Sequence, residues 1–186
     1  MRALRSSICL TMITMILCGI LYPLTLTLIG QIFFHQQANG SLILYDHRIV
    51  GSKIVGQLWT EDHYFHGRPS AVDYNMNPEK FYKTGVSSGG TNESNSNVKL
   101  MKRAKHLIEN DKGNLAIDAI TSSGSGLDPH ITVENARKQA QRIATARHIS
   151  MTKVIDLIDR NKRRGVLTYD YVNVLELNIG LDKLKR

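Results

Sequence analysis

A serine, an aspartate and a histidine fall within eight residues in the run Ser123-Gly124-Ser125-Gly126-Leu127-Asp128-Pro129-His130. A serine hydrolase uses those three residue types, but usually draws them from distant parts of the chain so that they converge in space. The Gly-x-Ser-x-Gly spacing of a nucleophile elbow is absent as well. Two other chemistries suit the run. Its glycines permit a tight turn, with Asp128-Pro129 leading into the next element. Exposed backbone N–H groups in such a turn can instead hold an anion or phosphate.

His63 and His66 bracket Tyr64-Phe65 ahead of Gly67-Arg68-Pro69-Ser70. Two histidines can begin a metal site, but no cysteine and no second ligand cluster supports one, so no metal is expected. The aromatics are expected to pack, and Arg68 to form a fixed ion pair or bind a partner's carboxylate at a subunit interface. Nine Lys or Arg lie between Arg137 and Arg164 and could contact phosphate. No Walker-type loop and no Gly-x-Gly-x-x-Gly is present, which excludes a self-sufficient nucleotide enzyme of those types.

These residues need positioning, and the first element to explain is the N-terminus. Ile8 to Phe34 holds no Asp, Glu, Lys or Arg. At about 1.5 Å per residue, Ile8 to Ile29 alone spans roughly 33 Å, enough for a hydrocarbon core of ~30 Å. The run exceeds the apolar region of a cleaved signal and is not followed by a small-x-small site, so an uncleaved single-pass anchor over 8–34 is expected. Arg2, Arg5 and the free amine crowd one flank, while Asp46 and Arg48 cancel on the other. Positive-inside bias then keeps residues 1–7 cytoplasmic and sends 35–186 out of the cytoplasm. Twenty-two Lys and Arg against 16 Asp and Glu follow Arg5. Long domains translocate largely regardless of their charge, so this excess does not reverse the orientation. Outside the cytoplasm nucleic acid is excluded as a partner, and the basic faces suit solvent or anionic lipid heads.

Cys9 and Cys18 are the two cysteines, both within the hydrophobic stretch. Nine helical steps put them on opposite faces, roughly 13 Å apart along the axis, so they cannot pair. The remaining domain must be held by an ordinary apolar core. Thr11, Thr14, Cys18 and Thr25 share one stripe of the anchor. Small and hydroxyl side chains there admit a partner helix closely, although the hydroxyls can also bond back to their own helix. Tyr22-Pro23 marks a kink or local break.

Beyond the anchor, Ser41–Tyr45 and Ile49–Val55 read as short strands around a turn at Asp46-His47-Arg48. Residues 85–97 form a polar, flexible loop. Val98–Asn110 has helical spacing and Leu115–Thr121 reads as a strand. Thr132 caps a helix carrying Val133, Ala136, Ala140, Ile143 and Ala144 on one stripe. Ser150 caps another, with Met151, Val154, Ile155 and Ile158 inward and Gly165 ending it. Tyr171–Leu177 is a strand-like run. Strands and helices without βαβ alternation predict an α+β domain over 35–186.

At these same residues the sequence resembles the C subunit of the Kdp-type potassium-transporting ATPase. The resemblance rests on Tyr22-Pro23-Leu24, Gln37-Ala38-Asn39-Gly40-Ser41-Leu42-Ile43, Gly51-Ser52-Lys53-Ile54-Val55-Gly56-Gln57 and Tyr64-Phe65-His66-Gly67-Arg68-Pro69-Ser70-Ala71. It continues through Ser123 to Ile131 and Val172-Asn173-Val174-Leu175-Glu176-Leu177-Asn178. Each block alone is modest; six in order behind such an anchor are specific. One departure is that Gly89-Gly90-Thr91-Asn92 runs into Glu93-Ser94-Asn95-Ser96-Asn97, where the family carries prolines.

The resemblance implies a non-catalytic accessory subunit of a high-affinity, ATP-driven potassium uptake complex in the cell membrane. Its implied partners are a channel-like potassium-translocating subunit and a P-type ATPase subunit, beside the lipid bilayer itself. The family's role is to stabilise the complex and, as a catalytic chaperone, to raise the ATP affinity of the hydrolysing subunit. The resemblance likens the Ser-Gly turn and a later glutamine to a nucleotide signature, here Ser123, Gly124, Ser125, Gly126, Asp128, His130 and Gln139. It implies no tightly bound cofactor, only ATP shared with the hydrolysing subunit. Thr11, Thr14, Cys18, Thr25 and Arg68 are the expected subunit contacts. Since ATP is cytoplasmic, the charge bias requires that any effect on it travel through the assembly unless the anchor is inverted. The competing class is an independent extracytoplasmic binding module or hydrolase using Ser125, Asp128 and His130.

Overall fold

Two units divide the chain in the computed structural model, Met1–Leu42 and Ile43–Arg186. The structure describes residues 1–76, 87–92, 94, 96–110 and 115–184.

The first unit is built on one apolar helix. Arg2–Phe33 is 32 residues long, and an 18-residue window within it reaches a mean hydropathy of 2.1, long and apolar enough to cross a membrane. It comprises α1 (Arg2–Ile16), a wide π turn over Leu17–Leu21, and α2 (Tyr22–Phe33). The break expected at Tyr22-Pro23 therefore takes the form of a π turn just upstream. Pro23 offers no N–H to the Gly19 carbonyl, and widening the preceding turn absorbs that loss. The helix stops at Phe34, whose backbone leaves the helical region, and a single turn, α3 (His35–Ala38), follows. Cys9 and Cys18 are free thiols. Thr14 donates to Leu10 O at 2.9 Å and Thr25 to Leu21 O at 2.7 Å, so these hydroxyls bond back to their own helix.

In the second unit β1 (Leu42–Tyr45) and β2 (Arg48–Ser52) form a two-stranded sheet. Asp46 and His47 both have positive φ, the backbone that a two-residue hairpin turn demands. Then come α4 (Val98–Asn110), α5 (Ile117–Ile120), β3 (His130–Thr132), α6 (Val133–Arg147), α7 (Met151–Asn161), β4 (Tyr171–Asn173) and α8 (Val174–Leu184). β3 and β4 pair antiparallel, with Ile131 opposite Val172. Two-stranded sheets among helices make this an α+β domain, as the patterning predicts.

The core lies where α6, α7 and α8 meet the β3–β4 ribbon. Ala136, Ala140, Ile143 and Ala144 of α6 pack with Val154 and Ile158, Leu177 and Leu181, Ile131 and Val172, and with Phe65 from a preceding segment. The alanine stripe at i, i+4 and i+8 lets neighbouring helices approach closely. Thr132 caps α6 as expected, its side chain accepting from the Asn135 N–H at 3.1 Å.

Three sequence expectations are corrected here. Leu115–Thr121 is not a strand: α5 occupies its centre, closed by Thr121 donating to Ile117 O at 3.0 Å. That helical turn carries Asp118 to the start of α6, where its carboxylate accepts from the Thr132 N–H and hydroxyl at 2.8 and 3.1 Å. Tyr171–Leu177 is strand only to Asn173, and α8 takes the rest. The Asn173 side chain accepts from the Glu176 N–H at 3.1 Å, a cap that starts a helix whose apolar stripe is Val174, Leu177 and Leu181. The helix begun at Ser150 ends at Asn161, not Gly165, because Arg163 leaves it to exchange backbone hydrogen bonds with Tyr171. Of the polar loop, residues 87–92, 94, 96 and 97 carry no helix or strand, while 85, 86, 93 and 95 lie outside the described residues.

Candidate functional site

The Ser-Gly run forms a tight turn whose two serine hydroxyls bond within it. Ser123 is buried, and its hydroxyl accepts from the Gly126 N–H at 3.1 Å and shares a 3.2 Å hydrogen bond with Ser125. The Ser125 hydroxyl in turn accepts from the Leu127 N–H at 3.1 Å. Gly126 has φ +70°, and a Cβ there would stand 2.6 Å from Val72 and 2.7 Å from the Gly89 carbonyl. Only glycine meets both demands.

A strap from Tyr64 to Ser70 wraps this turn. Pro69 O accepts from the Ser123 N–H at 2.9 Å, and the Ser70 hydroxyl donates to Gly126 O at 2.7 Å. The same hydroxyl oxygen accepts from the Tyr74 N–H at 3.1 Å. The polar loop closes the other side, with the Gly89 N–H donating to Ser125 O at 2.8 Å and the Ser88 hydroxyl doing so at 3.1 Å. Tyr74 is the buried pillar: its hydroxyl donates to Arg68 O at 2.7 Å, and its ring leaves Gly56 no room for a Cβ, which would stand 2.5 Å away. Burial, reinforced by nearby Asp128 and opposed by Arg68, pushes the phenol up to about 12.

Arg68 lies in the strap and pairs with Asp128 at 3.1 Å, while also donating to Ser122 O at 3.2 Å. It therefore makes the fixed ion pair that the sequence allowed. Asp128 also accepts from the His130 N–H at 3.0 Å, and its other contact is the His130 ring at 3.4 Å. Burial opposes the carboxylate, but the two His130 contacts and Arg68 outweigh it and hold Asp128 below its ordinary value of 3.8. A depressed folded-state value stabilises the domain above pH 3.8, and that stabilisation drains away as pH falls through the folded value. Asp128→Asn is accordingly expected to cost about 1–3 kcal/mol at neutral pH and to flatten the acid limb of the stability curve. Urea titrations from pH 7 to pH 3 would show it; parallel curves for the two proteins would count against this account.

Gln139 lies on α6 with its amide clamped to the strap instead of the turn. Its Oε1 accepts from the His66 N–H at 2.8 Å and its Nε2 donates to His66 O at 3.1 Å. Asn178 of α8 grips Phe65 the same way, at 2.8 and 3.1 Å. Both amides thus mimic a paired strand for a segment that has none. Burial, and then the Arg142 charge, push the His66 imidazole below its ordinary value. Its Nε2 sits 3.0 Å from Glu61 O, a carbonyl that can only accept, so Nε2 carries the proton. Tyr64 packs on Trp59 and His63 at centroid distances of 4.7 and 4.4 Å, with the Arg147 guanidinium 4.8 Å over its ring. Among the described residues no three His, Cys, Asp or Glu converge as metal ligands.

The structure thus brings Ser123 to His130 together around Arg68 and places Gln139 on the far end of the same strap. A serine-to-histidine hydrogen bond, the first requirement of a hydrolase, is not among these contacts. Sequence reasoning missed Asn178, Ser70, Tyr74 and Gly56. Asn178 and Ser70 stand inside quoted blocks, while Tyr74, with φ +52°, carries no local signal.

Residues 4–183 match the family model described as KdpC, K+-transporting ATPase, c chain. The chain is 73% identical over 185 residues, the whole length of both, to the potassium-transporting ATPase KdpC subunit of Staphylococcus aureus strain MRSA252. It is 72% identical, again end to end, to the corresponding subunit of strain MSSA476.

Proposed function

Because this chain belongs to the KdpC family, the c chains of K+-transporting ATPases, we propose that it is the non-catalytic accessory subunit of a high-affinity potassium pump. It assembles with a channel-like potassium-translocating subunit and a P-type ATPase subunit, and raises the ATP affinity of the latter through the assembly. The observation that carries this reading is the internal use of the Ser-Gly turn. The hydroxyls of Ser123 and Ser125 and both oxygens of the Asp128 carboxylate are occupied within the domain. Among the residues Ser123, Gly124, Ser125, Gly126, Asp128, His130 and Gln139, direct contact of ATP with the buried Ser123 hydroxyl or the half-buried Asp128 carboxylate would have to displace those bonds, at a cost of about 1–3 kcal/mol for each buried group left unpaired.

The anchor runs with residues 1–7 in the cytoplasm, since Arg2, Arg5 and the free amine flank it there, and the domain lies outside. The Thr11, Thr14, Cys18 and Thr25 face docks on the channel-like subunit. With Thr14 and Thr25 bonded to their own helix, that contact is close packing rather than hydrogen bonding.

Potassium-stimulated ATP hydrolysis by the purified complex, with and without this chain, tests the proposal. Removing the chain should raise the apparent KM for ATP about fivefold or more, the size of an ordinary coupling between sites. A photoreactive ATP analogue should label the hydrolysing subunit. Labelling of this chain, abolished by Ser125→Ala, would overturn the indirect mechanism. ATP or ester hydrolysis by this chain alone, lost in the same variant, would overturn the non-catalytic role.

A further inference from the structure

Away from the strap and turn, a cleft of about 570 Å³ is lined by five cations, Lys53, Arg160, Lys162, Arg163 and Lys183, with Glu176 as its carboxylate. Glu176 is held by Lys53 at 3.4 Å and Arg163 at 2.7 Å, and Lys162 reaches Asp170 at 2.6 Å. Five cations against two acids leave the cleft strongly positive.

A loop rises from its rim. Arg163 and Tyr171 exchange both backbone hydrogen bonds, at 2.9 and 3.0 Å, and so close residues 164–170 into a loop. The Gly165 N–H donates to the Asp170 carboxylate at 3.3 Å, and Asp170 O accepts from the Val133 N–H at 3.0 Å. This firmly held loop displays Val166, Leu167 and Tyr169 at 93%, 99% and 80% exposure.

We propose that this cleft and loop are a membrane-surface site: the cations take the phosphate groups of anionic phospholipids, and Val166, Leu167 and Tyr169 enter the headgroup boundary. Three observations select lipid as the occupant. The excess positive charge is complementary to anionic headgroups. Aliphatic side chains beside a tyrosine and Lys or Arg are the composition that partitions to a bilayer interface. Finally, the cleft lining begins at Ile43, ten positions after Phe33, where the apolar helix ends. A tether that short keeps lipid phosphate at high effective concentration. The inference rests on the N-terminal helix being a membrane anchor and holds for either orientation.

The test uses the full chain with Cys9 and Cys18 replaced by serine and Leu167→Cys carrying an environment-sensitive fluorophore. The protein is placed in nanodiscs of phosphatidylcholine, with or without phosphatidylglycerol, doped with nitroxide-labelled acyl chains. Emission should shift to the blue and be quenched in the phosphatidylglycerol discs. Substituting Arg160→Gln and Lys183→Gln together should weaken the association about fivefold per cation. Emission unchanged by lipid composition, with no quenching, would overturn the proposal. Burial of the fluorophore only on adding the other pump subunits, whatever the lipid, would assign the loop to a protein interface instead. Inorganic phosphate protecting the cleft in pure phosphatidylcholine, without quenching, would assign it to free phosphate.

Discussion

Phe65→Ala is expected to destabilise the second unit by about 3–5 kcal/mol, the cost of emptying an aromatic site in a close-packed core. Phe65 is fully buried among the side chains of α6, α7 and α8, and it is the point where the strap enters the core. The chain's single tryptophan, Trp59, packs at a tilt against Tyr64, so its fluorescence reports on the strap directly. Urea unfolding of the full chain in detergent, followed at Trp59, should show the midpoint fall sharply, with Phe65→Leu recovering part of the loss. Less than 1 kcal/mol lost on Phe65→Ala would mean that the strap is not held by the core. Its functional consequence is a lower yield of assembled complex, because the strap is what carries Pro69 and Ser70 to the turn.

Asn178→Ala is the second large effect. The variant leaves the Phe65 N–H and carbonyl without the bonds that Asn178 supplies at 2.8 and 3.1 Å. Each buried backbone group left unsatisfied costs about 1–3 kcal/mol, so the pair predicts roughly 2–6 kcal/mol. Gln139→Ala removes the same pattern of bonds from His66 one residue along, but there the backbone is only half-buried and water can substitute, so its cost is smaller. Thermal unfolding of the two variants should preserve that order. Equal losses would show that burial of the strap does not govern the energetics.

Some of this architecture was legible in the sequence because single-residue chemistry forced it. An uncharged stretch the width of a bilayer has few other uses, and the Thr132 cap with its alanine stripe leaves one helical reading. Misreadings arose where local pattern and tertiary context competed. Leu115–Thr121 is a short, mostly apolar run that reads as a strand, yet Asp118 is needed at the start of α6, and a helical turn delivers it there. Val172–Leu177 carries Val or Leu at four of six positions, but the Asn173 side chain caps the Glu176 N–H, and that cap outweighs propensity. The cluster around Ser123–His130 was visible as a motif, whereas its inward use was not. That depends on Arg68, Ser70 and Tyr74 arriving from about fifty to sixty residues away. Gln139 shows the same limit, since its partner His66 is seventy-three positions distant.

The proposed function requires the domain to lie outside the cytoplasm and to influence ATP only through the assembly. Its most direct test is topology in intact cells. Single cysteines at exposed Ser87 and Thr152, with Ser6 as the opposite-side control, are placed in a chain lacking Cys9 and Cys18 and probed with a membrane-impermeant thiol reagent. Ser87→Cys and Thr152→Cys should label from outside, while Ser6→Cys should label only after the cells are opened. The reverse pattern would contradict it, place the Ser-Gly turn beside cytoplasmic ATP, and return Ser123 to His130 to the status of a direct nucleotide site.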